Sequence, residues 1–472
     1  VTVTLKDPAG AVKAEAMTWP DGGLYWHVEL TATIQGSDTI EITAGDATTV
    51  IFVEPMSAQL DYLNDRVTGT GPANENLRVE LSRGGVHTVT VDSTGVFTLE
   101  VDVDLQPGDY GTLRYTRADS NQIYLNFGGQ VVNVHQNHNR VYGYAGAQSV
   151  PVSVTLYAPG GAIKAACTVN SSSWGSGEYN AYFYTWGCES WYYEGYEPII
   201  IRGGDTVVVT VEGVSTTVAV PLLTATPNLA TDIVSGVGPA FSTLRATLDG
   251  CGDPMMGQSC QTDVSTDAAG LYTAGPFEYQ TEEWDEWGMP VYITHTYDIQ
   301  PGDTGQVHYT NPDFNSIFIN YAAPQIRIQE NGRRVDGLVS VGGYSVTVTL
   351  KDPGGTVKAS QMVWPNEGLW YEVNLAATIQ ASDTVEVTAG DATTVIFVEP
   401  MSAQLDYLND RVTGTGPANE NLRVELSRGG VHTVTVDSTG VFTLAVGVDL
   451  QPGDYGTLRY TRADSNQIYL NF

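Results

Sequence analysis

Leu77-Arg-Val-Glu-Leu-Ser-Arg-Gly-Gly-Val-His-Thr-Val-Thr-Val-Asp-Ser-Thr-Gly-Val-Phe-Thr-Leu-Glu-Val-Asp-Val103 is the stretch on which the fold turns. Leu77, Val79 and Leu81 alternate with Arg78, Glu80 and Ser82, and Val89 and Val91 alternate with Thr88 and Thr90. Phe97, Leu99, Val101 and Val103 alternate with Thr98, Glu100 and Asp102. Successive side chains of a strand point to opposite faces, so a period of two with one wet face marks half-buried strands. Arg83-Gly-Gly85, Asp92-Ser-Thr-Gly95 and Gln106-Pro-Gly-Asp109 place turn residues between these runs. About seven short strands fit residues 55–127, the number a small two-sheet sandwich needs. No stretch sustains a helical period, and the predicted class is all-β.

Outward from this stretch the chain repeats itself. Val1-Thr-Val-Thr-Leu-Lys-Asp-Pro8 recurs as Val346 to Pro353, a shift of 345, and Thr43 to Leu99 is identical to Thr388 to Leu444. Between them lies a diverged copy, in which Val152 to Gly161 answers Val1 to Gly10 and Asp298 to Asp303 answers Asp104 to Asp109. Each of the three units divides into a first half opening on V-x-V-T-L and a second half. The second half runs from a V-[TS]-G segment through a D-x-x-G turn to a closing N-x-I-x-[LI]-N-[FY]. The expected modules are A1 (1–54, lacking its opening strand), B1 (55–127), A2 (128–222, with an aromatic insertion), B2 (223–323, with an acidic aromatic insertion), A3 (324–399) and B3 (400–472). A tandem array of small immunoglobulin-like sandwiches forming an elongated rod follows, each with its own core.

Val67-Thr-Gly69, the turn at Asp92 to Gly95 and Asp104-Leu-Gln-Pro-Gly-Asp-Tyr110 resemble immunoglobulin-like and transthyretin-like (carboxypeptidase regulatory-like) modules repeated in bacterial surface proteins. The resemblance covers the whole chain and implies stalks, adhesins and fibres without enzymatic activity. Some such relatives carry a Lys-to-Asn or Lys-to-Asp isopeptide cross-link. Residues 60–127 and 405–472 contain no lysine, which leaves that device to Lys6, Lys13, Lys351 and Lys358 in the A modules.

Composition bounds the rest. The 472 residues carry 54 Asp and Glu against 21 Lys and Arg, a net charge of −33. Such a field repels phosphate backbones and anionic headgroups, which disfavours nucleic acid and membrane surfaces as partners. No uninterrupted apolar run is long enough to span a bilayer, and no basic-then-apolar leader opens the sequence. The start at Val1 is expected of a processed chain or of a window on a longer array. A1 begins past the segment that precedes A2 (Gln130–Val134 with Val141–Tyr144) and A3 (Gln325–Ile328 with Val335–Leu338). A missing opening strand leaves a bare sheet edge, to be completed by a longer array or by a neighbouring chain through strand addition.

The four cysteines lie in the central unit, Cys167 and Cys188 in A2 and Cys251 and Cys260 in B2, and read as two local disulfides of an oxidising compartment. Extracellular or cell-surface location follows. The insertions supply candidate contact aromatics: Trp174, Tyr184, Trp186, Trp191 and Tyr193 in A2, Trp284 and Trp287 in B2. Such rings stack on sugars or grip a protein, and otherwise pack within strands. Asp61 and Asp65, with their copies Asp406 and Asp410, are weak calcium candidates; no EF-hand loop is present and no cofactor is required. His135 and His138 read as a solvated loop, and Asn170-Ser-Ser172 is the one sequon. No nucleophile elbow, zinc-protease helix or phosphate loop occurs, and the acids Glu282, Glu283, Asp285 and Glu286 read as solvated. The expected function is a non-enzymatic fibre, stalk or sheath that self-associates head to tail. The alternative is an adhesin binding a glycan or a surface protein through the aromatic insertions.

Overall fold

The computed structural model describes residues 1–472 except 63, 107, 174–176, 193–195, 212, 252–259, 285, 286 and 288. Among the described residues there are strands and turns and no helix, so the chain is all-β. B1 is a seven-stranded sandwich. Ser57–Asp61, Arg66–Thr70 and Val96–Glu100 form a three-stranded sheet. It packs on a four-stranded sheet ordered Gln122–Gly128, Tyr110–Thr116, Asn76–Leu81, Gly85–Thr90. Leu77, Val79, Leu113 and Phe127 meet Leu60, Val67 and Phe97 in its core, the inward set that the alternation selects. B3 repeats this arrangement, and B2 adds the hairpin Glu278–Trp284/Pro290–Thr296.

The repeated motifs have physical causes. In V-[TS]-G the glycine lies under an aromatic ring of the next strand. A Cβ at Gly69 would stand 2.1 Å from the Ser57 carbonyl and 2.7 Å from the Phe97 ring. Gly414 has the same relation to Ser402 and Phe442, so a side chain there would break the sheet pair or expel the ring. In the D-x-x-G turn, Asp92 Oδ1 accepts from the backbone N–H of Thr94 at 2.8 Å and of Val96 at 3.0 Å. These donors hold the Asp92 carboxyl below its ordinary range. Gly95 closes the turn at φ +85°, a conformation that costs glycine nothing.

A2 packs the sheet Ile163–Asn170, Pro151–Tyr157, Thr206–Val211, Val214–Ala219 against a second one ordered Gly187–Glu189, Glu178–Tyr184, Arg140–Tyr144, Val131–His135. A lysine and a buried aspartate clamp each A module: Lys13–Asp38 at 2.6 Å, Lys164–Asp205 at 2.6 Å and Lys358–Asp383 at 2.5 Å. The same carboxylates accept the backbone N–H of Gln35, Arg202 and Gln380, each at 2.8 Å. Lys6 and Lys351 pair with Glu41 and Glu386.

Modules A2 and B2 share a sheet. Val131–His135 pairs in parallel with Ser316–Ala322, the closing strand of B2, and one eight-stranded sheet results. Gln325–Gln329 pairs likewise with Gln467–Asn471, giving a seven-stranded sheet through A3 and B3. The cores follow the sheets: one apolar cluster runs from Val132 to Ala323 and another from Ala322 to Leu470. A separate core for every module, as the repeats imply, is therefore corrected for these two pairs. The closing strand of B would otherwise be an open edge, and the leading hairpin of A covers it.

A side-chain clamp marks the A–B junctions of the second and third units. Gln136 donates from Nε2 to the Leu223 carbonyl at 2.8 Å and accepts the Leu223 N–H at 3.1 Å. Glu330 stands in this role in the third unit. Its Oε1 accepts the Met401 N–H at 3.4 Å, while the buried Oε2 has no partner. Burial pushes the Glu330 carboxyl up to about 7. A folded-state value above the unfolded one means a contribution to stability that is full below pH ~4.5 and lost as the pH rises through ~7. Glu330→Gln should therefore raise the stability of the third unit by about 1–3 kcal/mol at pH 8 and by little at pH 4. Thermal melts from pH 4 to 8 check this; parallel profiles for parent and variant would refute it.

Candidate functional site

The leading hairpin and the surface that receives it form the candidate site. In the second unit the parallel register is Asn133 with Ser316, Val134 with Ile317 and His135 with Phe318. In the third it is Arg327 with Gln467, Ile328 with Ile468 and Gln329 with Tyr469. The first asparagine of the closing motif latches the hairpin. Asn315 Oδ1 accepts the Val132 N–H, and Asn466 Oδ1 accepts the Ile326 N–H, both at 2.9 Å. The second hairpin strand, Arg334–Leu338, then pairs with Trp370–Asn374, whose far edge ends the sheet.

Unit one carries the same closing strand. Among the described residues Gln122–Gly128 pairs with Tyr110–Thr116, and Asn121 opens its motif. Leu24-Tyr-Trp-His-Val-Glu-Leu30 aligns with Leu369-Trp-Tyr-Glu-Val-Asn-Leu375, yet forms no strand. Leu24 is 83% exposed where Leu369 is 3%, and Ile34 is 47% exposed where Ile379 is 0%. The alternation in both segments is alike, and in the third unit Trp370–Asn374 has Arg334–Leu338 beside it.

The aromatic candidates divide. Tyr184 is buried and stacks on Trp186 at 5.6 Å, and Trp186 meets Tyr196 edge-on at 5.9 Å. Trp191 is exposed, as are Trp284 and Trp287 on the B2 hairpin, a separate two-stranded sheet. Trp174 and Tyr193 lie outside the described residues, as do Asp285 and Glu286. Cys167 and Cys188 are bonded, with Cα atoms 5.6 Å apart. This bridge joins Ile163–Asn170 of one A2 sheet to Gly187–Glu189 of the other, beside the Tyr184–Trp186 stack. Cys251 and Cys260 are bonded, with Cα atoms 5.4 Å apart.

Asp61 and Asp406 each accept a guanidinium N–H, from Arg66 and Arg411, at 2.8 Å. Asp65 and Asp410 accept the backbone N–H of Leu105 and Leu450. Arginine and amide donors thus already face the carboxylates proposed for calcium. His135 and His138 overturn the expectation of a solvated loop: they are 3% and 8% exposed, their rings stack 4.7 Å apart, and His135 stacks in turn on Phe318. The hairpin turn that carries them is pressed between the second and third units, a contact that local sequence does not show.

No protein-family model matches the chain, and no curated protein sequence matches it. Solved structures similar to it include a tetra-tandem repeat from the extending region of a large adhesion protein, 12% identical over 88% of this chain and 97% of that one, with a TM-score of 0.15. The BSP domain of a biofilm associated protein is 10% identical over 72% and 95%, with a TM-score of 0.15. The native alpha-2-macroglobulin of E. coli is 12% identical over 92% of this chain and 36% of that one, with a TM-score of 0.14.

Replacing both Cys167 and Cys188 by Ser frees a loop of 21 residues that ties the two A2 sheets together. The expected cost is about 3 kcal/mol, read as a lower denaturant midpoint for the second unit. An unchanged midpoint would show that the sheets hold without the bridge.

Proposed function

We propose that this chain is a non-enzymatic structural protein of the cell exterior, one repeat length of a fibre, stalk or sheath. Its units join head to tail by hairpin complementation. The observation that carries this reading is the repeated strand addition: in the second and the third unit alike, the leading hairpin lays its first strand in parallel along the closing strand of B. A closing strand is an edge ready for an added strand, and in both units the hairpin of A fills it. The same addition exchanged between chains would link units without limit. The two disulfides support an oxidising compartment.

A second reading, an adhesin that takes a glycan or a protein surface, is favoured by one feature. Trp284, Trp287 and Tyr292 stand exposed on a hairpin that B1 and B3 lack.

A synthetic hairpin with the sequence of residues 324–345 tests complementation. Added in trans, it should bind the chain one to one, slow amide exchange across Leu24–Leu30 and raise the melting point of the first unit. The same residues fused ahead of Val1 give the internal control. Protection by the fused hairpin but not the free one would overturn donation between chains, and protection by neither would overturn the receiving surface itself.

A further inference from the structure

The joint between the second and third units carries a cluster that the assembly does not require. His135 ends the first strand of the A2 hairpin, and His138 follows three residues later, across a turn in which Asn137 takes φ +64°. The Asn137 N–H donates to the Ile201 carbonyl and the Ile201 N–H to the His138 carbonyl, both at 2.8 Å, so the turn is fixed from both sides. The Nδ1 atoms of both histidines are buried and have no hydrogen-bond partner. Glu367 of A3 reaches this turn from the next unit, with Oε1 3.9 Å from His138 Nδ1. One ligand atom from each of the three residues lies within 4.8 Å of the others.

Two unpartnered imidazole nitrogens at buried positions are costly unless something binds them. We propose that His135, His138 and Glu367 bind one divalent transition-metal ion, Zn2+ foremost, that staples the second unit to the third. Two nitrogens and one carboxylate oxygen suit zinc and its neighbours, whereas calcium and magnesium call for oxygen throughout. Tetrahedral coordination wants ligand atoms roughly 3.4 Å apart and the ion in the plane of each ring, so the near-parallel imidazoles turn out of their stack as the three ligands close in.

The surroundings serve such a site. Arg140 Nη1 lies 3.1 Å from Glu367 Oε2 and 3.4 Å from Oε1, which fixes the carboxylate while Oε1 faces the histidines. Asn320 Nδ2 donates to the Glu367 backbone carbonyl, anchoring the loop that brings the glutamate in.

Both halves of the cluster are peculiar to this joint. The corresponding turn of the third unit reads Gln329-Glu-Asn-Gly-Arg-Arg334, without histidine, and the first copy has Gly22 where the third has Glu367. Otherwise closely matched repeats thus differ on both sides of one contact, in the direction that assembles ligands.

Calorimetric titration of the full chain with Zn2+ at pH 7.5 tests the proposal. One ion should bind per chain, and Glu367→Gln and His138→Gln should each weaken binding at least tenfold. Glu367→Gln guards against misfolding, since the first copy carries glycine at that position. Amide exchange at the 135–140 turn and the 366–369 loop should slow on adding Zn2+ in the parent and not in the variants. Co2+ should give the intense visible bands of a four-coordinate site. Binding equal in parent and variants, or none, would overturn the proposal and leave the Arg140–Glu367 contact as an ion-pair latch; neither result bears on hairpin complementation.

Discussion

One constraint governs this molecule: the last strand of every B sandwich has a second edge, and something must satisfy it. Its unpaired N–H and C=O groups are ready for any extended segment. In the second and third units the occupant is the first strand of the leading hairpin, laid parallel and latched by Asn315 or Asn466. Parallel strands need a long crossover, and here the crossover is nearly a whole unit, since A2 and most of B2 intervene between Val131–His135 and Ser316–Ala322. That is why the A and B cores fuse. A contact so distant in sequence makes each pair one cooperative body rather than two beads on a string.

The third unit shows what that contact adds to a module. Leu24–Leu30 has the alternation of a strand and the same neighbours in sequence as Leu369–Leu375, yet only the latter forms a ladder. Strand propensity is a statement about fitting a pleated, half-buried surface, and Arg334–Leu338 supplies that surface to Trp370–Asn374. Moving Leu24 and Ile34 from exposed to buried, as Leu369 and Ile379 are, is worth about 1.5–3 kcal/mol per side chain before the ladder bonds are counted. Part of the free energy of the A fold therefore resides in whatever segment lies against it.

Local features were legible in the residues alone. The alternation from Leu77 to Val103 places the B1 strands, and the Asp92 turn and the V-[TS]-G glycine declare themselves because their partners are near in sequence. The closing asparagine was visible as a motif, but its purpose was not, because its partner lies 183 residues away in one unit and 140 in another. The same limit hid His135 and His138. A polar turn of His-Gln-Asn-His reads as solvent-facing until A3 is seen to cover it, and Glu367, which completes the cluster, belongs to another unit.

Closely matched copies make their departures informative. Repeats that bury the same core must keep the same inward residues, so Val3 and Val348 or Leu60 and Leu405 are fixed by packing. Surface residues drift without consequence unless they meet a neighbour. The third unit faces the second through Glu367, whereas the first copy has Gly22 in that place. The second unit answers with Arg140 and a histidine pair, and with Arg202, which donates to the Gly343 carbonyl at 2.6 Å and lies over the Tyr344 ring. Interlocking charge and ring contacts at a joint resist bending more than they add to the stability of either side, because each exchanges water for a partner only in one orientation. Stiffness in such an array is thus a property of the few residues at which the copies have stopped being copies.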